Sequence, residues 1–273
     1  MGSKTAVCEW VLPQRGPAAV RQAAALGFDG IQITELGGYE ADFPLLRRET
    51  LQAYREAAEE TGIRLQALHL WSLCRLASLL HPMESRAGQV AVRSLEKGLE
   101  ACRALSIPRL MVTSGMMCQV KNEADFNQFI TYMRWLCGRA EEAGVTVCFE
   151  SSFSPEQILA VYEATGRRIR VCYDFFNPVR FHLGDPVEEI RRLAPRGCID
   201  HYHVKDGPED CIGCSLLGEG IGRYRGQTAL LRELGYQGWL VTENYYGDME
   251  KVYRRPWETL ARADRDTMRQ FFA

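Results

Sequence analysis

The sequence predicts a (β/α)8 TIM barrel, in which eight parallel strands alternate with helices and close on themselves. Eight short apolar runs alternate with longer amphipathic stretches along the 273 residues, and about 34 residues for each strand–helix unit is an ordinary size. Most of these runs are continuously apolar, as expected for strands that are buried on both faces. The rival fold, an open doubly wound sheet, is disfavoured because no glycine-rich phosphate loop follows the first run.

The predicted strands and helices follow one another in a regular order. The strands are predicted over Thr5–Val11, Gly30–Thr34, Arg64–His69, Arg109–Thr113, Thr146–Glu150, Arg170–Asp174, Cys198–His203 and Trp239–Glu243. The helices are predicted over Ala18–Leu26, Leu45–Thr61, Glu84–Leu105, Glu123–Ala143, Pro155–Ala164, Pro186–Leu193, Thr228–Leu234 and Trp257–Phe272. Ser154 and Asp185 are N-cap residues that precede a proline, which is a helix-start signal.

We expect a single domain over residues 1–273, because no linker or shift in composition divides the chain. The chain has 33 Lys and Arg against 35 Asp and Glu, and this balance argues against a basic nucleic-acid binder. No apolar run approaches the roughly 18 residues that span a bilayer. The first residues also lack the apolar core of a signal peptide. We therefore expect a cytoplasmic protein that binds neither nucleic acid nor a membrane.

The ten cysteines are too few for the dense disulfide framework of a small secreted scaffold in a chain of this length. In a protein without a secretion signal we expect them to be reduced thiols, many of them buried. Cys211 and Cys214 form the one close pair. No second pair or suitably spaced histidines follow it, which disfavours a zinc ribbon and leaves the role of the pair open.

The last four predicted strands all end in a residue type that binds metal ions, namely Glu150, Asp174, His203 and Glu243. The active site of a (β/α)8 barrel lies at the carboxyl ends of its strands, so these side chains are expected to converge. Three carboxylates and one imidazole suit one divalent ion, with Mn²⁺ favoured and Co²⁺, Mg²⁺ or Zn²⁺ as alternatives. A capping role or a buried polar role can explain one such residue. Four in succession favour a metal site instead, since clustered carboxylates repel one another without a cation.

Alternation of side chains along a strand predicts what lies around this site. When Glu150 and His203 point into the barrel, Phe149 and Tyr202 face the surrounding helices. His201 then lies in the barrel interior, below His203.

Five motifs, FESS, YDFFNP, HYHVKDG, GEGIG and TENYY, resemble those of the xylose isomerase-like TIM barrels, specifically the sugar phosphate isomerase/epimerase group. That group includes ketose 3-epimerases, inosose isomerases and dehydratases, hydroxypyruvate isomerase and, more distantly, endonuclease IV. The resemblance covers nearly the whole chain. It implies that Glu150, Asp174, His203 and Glu243 bind one divalent metal ion, that the two glutamates move protons, and that the protein forms homodimers or homotetramers.

One departure from the family pattern follows the sixth predicted strand. Many members of the group carry Asp-x-x-His there, and that histidine contacts the substrate, whereas this chain has Asp174 followed by Asn177. Asparagine can hydrogen-bond a hydroxyl group but cannot shuttle a proton. The departure weakens an assignment to the ketose 3-epimerases, and Asn177 is either a substrate contact or a turn residue before Pro178.

Four further residues are candidates for substrate binding. His69 ends the third predicted strand, and Trp71 follows it as a surface for the apolar face of a sugar; the alternative for both is a place in the core. Lys205 either binds a substrate oxygen or pairs with a carboxylate. Glu219 lies in the GEGIG segment, and the resemblance implies that it orders a loop over the mouth of the barrel.

The predicted function is metal-dependent isomerisation or epimerisation of a keto-sugar or keto-polyol through an enediolate. Glu150 or Glu243 removes a proton next to the carbonyl group, and either residue returns it to another face or another carbon. Loss of a β-hydroxyl group instead would make the enzyme a dehydratase for an inosose-like substrate. A non-catalytic sugar-binding subunit does not need two opposed carboxylates, and an endonuclease IV-like nuclease needs more histidines than the five present.

Overall fold

The computed structural model describes residues 4–37, 43–76 and 78–272. Eight parallel strands form a closed barrel, in which each strand pairs with the next and the last pairs with the first. The strands are Lys4–Cys8 (β1), Gly30–Thr34 (β2), Arg64–His69 (β3), Arg109–Ser114 (β4), Thr146–Ser151 (β5), Arg170–Asp174 (β6), Ile199–Val204 (β7) and Trp239–Thr242 (β8). The predicted (β/α)8 TIM barrel is confirmed.

Helices surround the barrel and connect its strands. They are Pro17–Ala25 (α1), Arg48–Thr61 (α2), Trp71–Cys74 (α3), Arg86–Ala104 (α4), Glu123–Ala143 (α5), Pro155–Ala164 (α6), Asn177–Arg180 (α7), Pro186–Leu193 (α8), Tyr224–Glu233 (α9), Tyr246–Tyr253 (α10) and Trp257–Phe272 (α11). The predicted caps are confirmed, because the Ser154 and Asp185 side chains accept hydrogen bonds from the first turns of α6 and α8. Among these described helices, none is both long and apolar enough to cross a bilayer.

The apolar core lies mainly between the barrel and its helices, whereas the barrel interior contains many polar side chains. Phe149 faces outwards as predicted and packs against Phe129 of α5, with ring centroids 6.0 Å apart. His201 lies beside His203 in the interior, with ring centroids 5.9 Å apart and both side chains fully buried. The predicted placement of His201 in the interior is therefore confirmed.

Two bulges add polar residues to this interior. The pairing of β2 with β3 skips Gln66, and the pairing of β6 with β7 skips Asp200. A bulge leaves its extra residue out of the ladder and redirects the side chain. Here Gln66 accepts a hydrogen bond from the Gln32 amide at 3.4 Å, and the Asp200 carboxylate lies 2.9 Å from Nδ1 of His201.

The first strand ends three residues earlier than predicted, at Cys8 instead of Val11, and a 3-10 turn follows it. The cause is Glu9, whose buried carboxylate accepts hydrogen bonds from the backbone N–H groups of Gly16 and Thr34. These bonds bend the chain at the top of β1. The neighbouring Trp10 is thereby directed towards the carboxyl end of the barrel, where its indole reaches the predicted site.

The expectation that all cysteines are reduced is wrong for one pair. Eight cysteines are free and buried, but Cys211 and Cys214 are joined by a disulfide with their Cα atoms 5.7 Å apart. The pair lies in the loop after β7, where Asp206 and Ser215 form an isolated antiparallel bridge. This tight turn brings the two sulfur atoms together.

Candidate active site

The four predicted metal ligands converge at the carboxyl end of the barrel. Glu150, Asp174 and His203 lie on β5, β6 and β7, and Glu243 directly follows β8. One potential ligand atom from each residue lies within 4.8 Å of all the others, and all four residues are buried. Atoms bound to one ion at about 2.0–2.6 Å have separations in this range.

Each carboxylate has one oxygen held by a neighbouring donor. Asn177 donates through Nδ2 to Oε1 of Glu150 at 3.1 Å, and Trp10 donates through Nε1 to Oε1 of Glu243 at 2.8 Å. Oδ1 of Asp174 accepts two backbone N–H groups at the start of α7, at 2.8 and 2.7 Å. These bonds orient the three carboxylates towards one another at the end of the barrel.

Gln32 orients His203 in a corresponding way. Nε2 of His203 donates to the Gln32 side-chain oxygen at 2.7 Å, since an amide oxygen can only accept. Nδ1 then faces the carboxylates, 3.7 Å from Oε2 of Glu150 and 3.6 Å from Oε2 of Glu243. This buried nitrogen has no hydrogen-bond partner among the described residues.

Lys205 provides a positive charge at the same point. Its ammonium group lies 2.7 Å from Oε2 of Glu243 and 2.9 Å from Oδ2 of Asp174, and the side chain is buried. The lysine thus contacts two of the predicted ligand oxygens and offsets part of their repulsion. Of the two sequence-based alternatives for Lys205, the structure shows the pairing with carboxylates.

The charges around the cluster determine the protonation of its members. Burial alone would raise the pKa of Glu243, but Lys205 and His203 hold that pKa well below its usual value. Burial likewise opposes ionisation of Glu150, and His203 lowers the pKa of that carboxyl group despite it. Both glutamates are therefore ionised, as a proton-accepting group requires.

These residues fit a divalent cation. Three carboxylate oxygens and one imidazole nitrogen form a hard ligand set, and the unpartnered Nδ1 of His203 provides a buried nitrogen that needs a partner. Burial alone would lower the pKa of His203, but Cys172, Cys8 and Glu150 raise it well above its usual value. An ion bound here would displace the proton from Nδ1.

A cavity of about 620 Å³ opens above the cluster. Glu150, Glu243 and four of the predicted substrate-binding residues line it, namely His69, Trp71, Asn177 and Lys205. Its rim is more apolar and includes Met116, Phe181 and Ile212. The structure therefore brings the proton-moving candidates and most of the predicted substrate contacts into one cavity of a size typical for small ligands.

His69 is held against Glu150 through Thr113. The Thr113 hydroxyl donates to Oε2 of Glu150 at 3.4 Å and lies 2.9 Å from Nε2 of His69, so Nε2 carries the hydrogen and donates to that hydroxyl. Burial lowers the pKa of His69 to about 4, which leaves the imidazole neutral at neutral pH. Nδ1 is then an acceptor without a hydrogen-bond partner among the described residues.

Trp71 and His69 line one wall of the cavity. Trp10 packs against Trp71 with ring centroids 5.5 Å apart and against His69 at 5.0 Å. Glu35 fixes this wall, because its carboxylate accepts the backbone N–H groups of Trp71 and Ser72 at 2.8 and 2.6 Å. Trp71 is half-buried and remains open to the cavity, as its predicted stacking role requires.

The GEGIG segment wraps around Asp206, and Glu219 points elsewhere. The Asp206 carboxylate accepts the backbone N–H groups of Gly218 and Gly222, both at 2.9 Å. A side chain at Gly220 would lie 2.2 Å from that carboxylate, so only glycine fits there. Glu219 is exposed, accepts a hydrogen bond from Tyr253 at 2.8 Å and does not line the cavity. The structure therefore separates Glu219 from the other predicted substrate contacts.

Sequence reasoning missed Gln32 and Trp10, which orient two of the ligands. Gln32 has a recognisable signal, because it is a lone amide within the buried run of β2. Gln32 also belongs to an axial chain of polar contacts through the barrel. From bottom to top this chain runs through Arg109, Asp200, His201, Gln32 and His203.

The fold and this buried cluster define a (β/α)8 barrel with its polar site at the carboxyl ends of the strands. Residues 20–271 match the family model described as xylose isomerase-like TIM barrel. The chain belongs to this family, and the resemblance found in the sequence is confirmed.

Known proteins of similar sequence or structure include two that are named epimerases and one that was solved with a zinc atom. The 2-epi-5-epi-valiolone 7-phosphate 2-epimerase of Actinoplanes sp. is 31% identical over 251 residues, which are 91% of this chain and 89% of that protein. D-allulose 3-epimerase from Methylomonas sp., solved in complex with D-allulose, matches with a TM-score of 0.74 at 15% identity over 99% of this chain and 98% of its own. The IOLI protein, solved with a zinc atom, matches with a TM-score of 0.75 at 17% identity over 98% of each chain.

Proposed function

We propose that this protein is a divalent-metal-dependent epimerase or isomerase of a keto-sugar or keto-polyol, with Glu150 and Glu243 as acid and base. One observation carries the proposal: two ionised carboxylates line the same cavity and both approach Nδ1 of His203, at 3.7 and 3.6 Å. The epimerase name of the relative at 31% identity supports an enzyme of this class. D-allulose bound to a structural neighbour supports a sugar as the ligand.

Different residues of the cavity have different roles in a proton transfer at a carbon next to a carbonyl group. One of Glu150 and Glu243 accepts the proton, and either residue returns it to the opposite face or to the neighbouring carbon. Asn177 offers a donor to substrate oxygens, Nδ1 of His69 offers an acceptor, and Lys205 holds Glu243 and Asp174 through its ammonium group. An ion held by Glu150, Asp174, His203 and Glu243 supplies Lewis-acid stabilisation of the negative charge that develops on the substrate.

Dehydration of a keto-polyol is the second candidate function. Asn177 donates to Oε1 of Glu150 and cannot move a proton itself, so the same two glutamates would serve either return of the proton or loss of a β-hydroxyl group. Mass spectrometry of the product separates the two functions, because a dehydratase product has lost water whereas an epimer or isomer keeps the substrate mass.

Metal analysis is the first experiment. We expect about one divalent ion per chain in the purified protein, Mn²⁺ before Co²⁺, Mg²⁺ or Zn²⁺, and loss of the ion in Asp174→Asn. Asp248→Asn is the matched control, since Asp248 is exposed and pairs with Lys251 at the surface. Failure of the wild type to bind any of these ions, even when they are added, would remove the basis of the proposal.

Solvent deuterium exchange into a panel of keto-sugars and keto-polyols then tests the chemistry. An epimerase or isomerase introduces deuterium at the carbon that loses its proton. A protein that binds the ion and a sugar but exchanges no carbon-bound hydrogen is a binding subunit.

Light scattering of the same sample tests the expected homodimer or homotetramer.

A further inference from the structure

A second cavity, of about 550 Å³, lies at the opposite end of the barrel from the candidate active site. The first residues of four strands form its wall: Lys4 of β1, Arg64 of β3, Arg109 of β4 and Trp239 of β8. The second half of α2 and the turn between α4 and β4 complete it. We call this space the basal cavity. The basal cavity shares no lining residue with the cavity of the candidate active site, so it is not part of that site.

The basal cavity concentrates positive charge in a protein whose net charge is −2. Four of its lining residues are cationic, namely Lys4, Arg55, Arg64 and Arg109. Among the described lining residues, Glu59 alone carries a carboxylate. A concave site lined by one sign of charge focuses the electrostatic field and raises the local concentration of the opposite ion. The expected ligand is therefore an anion.

Two of these cations already bind other groups through an ion pair or a hydrogen bond, and the other two have no salt-bridge partner among the described residues. Arg109 is paired with Asp200, and Arg55 donates to the backbone carbonyl of Ala104 at 2.9 Å. Arg64 is exposed, and the ammonium group of Lys4 lies over the Trp239 ring at 5.5 Å. Neither Lys4 nor Arg64 forms a salt bridge within the described ranges 4–37, 43–76 and 78–272, so both line the cavity without a carboxylate partner.

We propose that the basal cavity binds a phosphate group, either as free phosphate or as part of a small phosphorylated molecule, with Lys4 and Arg64 as its principal contacts. Arginine presents a planar fork of donors that matches a phosphate group, and lysine adds a compact positive charge. Arg55 borders the same space and adds a further charge. The proposal does not depend on the activity at the other end of the barrel.

Isothermal titration of the full chain with inorganic phosphate, glucose 6-phosphate and glucose tests this site. We expect phosphate-bearing ligands to bind and glucose to give no signal at the basal cavity. The double variant Lys4→Gln/Arg64→Gln should weaken phosphate binding at least tenfold, a change of about 1.4 kcal/mol. Arg93→Gln is the matched control, because Arg93 is an exposed arginine of α4 outside the cavity, and its affinity should equal that of the wild type.

Comparison of the ligands, together with a third variant, distinguishes the possible kinds and locations of phosphate binding. Similar affinity for inorganic phosphate and glucose 6-phosphate supports a site for the phosphate group itself, and selective binding of glucose 6-phosphate supports a site for a phosphorylated molecule. Binding that survives in the double variant but disappears in Lys205→Met would locate the phosphate at the opposite cavity and overturn the proposal. Absence of phosphate binding at millimolar concentration in a folded wild-type sample would overturn it as well.

Discussion

Nε2 of His203 donates to the side-chain oxygen of Gln32 at 2.7 Å, and this one bond determines which nitrogen of the imidazole faces the three carboxylates. The same amide, through its nitrogen, lies 3.3 Å from Nε2 of His201. Gln32 is therefore held on both sides and cannot rotate freely. Partners of this kind, beyond the direct ligands, fix the ring orientation of metal-binding histidines in many sites.

Gln32→Leu should lower the affinity for the divalent ion about 10- to 100-fold, the usual effect of removing such a partner. The leucine removes the oxygen that accepts from Nε2 of His203 and leaves only the Cys8 sulfur, at 3.8 Å, so Nδ1 is held less firmly towards the carboxylates. Titration of the chelated protein with Mn²⁺ measures the change. Gln32→Glu keeps an acceptor oxygen and should retain more of the affinity than leucine does; equal affinities in all three proteins would contradict the positioning role.

Glu150→Gln and Glu243→Gln should each lower turnover by at least about a hundredfold, since an amide cannot accept the substrate proton. Turnover is measured as solvent deuterium exchange with the best substrate of the panel. Glu233→Gln makes the same chemical change on an exposed residue outside the cavity and should leave turnover near that of the wild type. Near-normal turnover in both cavity variants would exclude the proposed acid–base pair.

Lys205→Met should make the protein more dependent on its metal ion for stability. In the wild type without metal, the ammonium group still lies within 2.9 Å of two carboxylates, whereas the variant leaves their charges uncompensated. We expect the melting temperature to fall further on chelation in Lys205→Met than in the wild type. Lys251→Met, at an exposed surface pair, is the control; an equal fall in all three proteins would show that Lys205 does not compensate these charges.

Asp264 of α11 should give the protein a pH-dependent stability that is independent of the metal site. Its carboxylate accepts hydrogen bonds from the Leu217 N–H at 2.9 Å and from Nδ2 of Asn244 at 2.6 Å. Burial raises the pKa of Asp264 to about 7, compared with about 3.9 in an unfolded chain. Between these values the native protein holds a proton that the unfolded chain has lost, so this group's contribution to stability falls as the pH rises.

Chemical denaturation of the wild type and of Asp264→Asn between pH 4 and pH 8 measures this effect. The asparagine does not titrate, so the stability of the wild type relative to the variant should fall as the pH rises, by up to about 4 kcal/mol. The absolute stability of the variant is not the relevant quantity, because the amide also changes the local hydrogen bonds. Parallel pH profiles would show that Asp264 titrates normally.

The sequence was sufficient to predict the barrel and the convergence of four side chains because both depend on local patterns. Apolar runs separated by helical stretches predict the strands, and seven of the eight have bounds within one residue of those in the structure. In a closed parallel barrel the carboxyl ends of all strands lie at one end. The side chains of Glu150 and Glu243 are far apart in the chain, but they were therefore predicted to lie at the same end of the barrel.

The residues that orient the site depend on features without a local pattern. The end of β1 was missed because Glu9 is tied to Thr34 and Gly16, contacts that only the tertiary structure creates. The bulge at Asp200 shifts the pairing by one residue, and strict alternation along a strand does not foresee such a shift. The exposed position of Glu219 was not foreseen, because a motif gives the position of a residue in the chain but not the direction of its side chain.

The axial chain of polar contacts connects the two ends of this barrel. Arg109 at the floor holds Asp200, Asp200 holds His201, and Gln32 joins His201 to His203. Substitutions at the floor of a barrel are commonly regarded as silent for catalysis. In this protein, replacing Arg109 would remove the first of four contacts in a run that ends at the imidazole of His203, at the far end of the molecule.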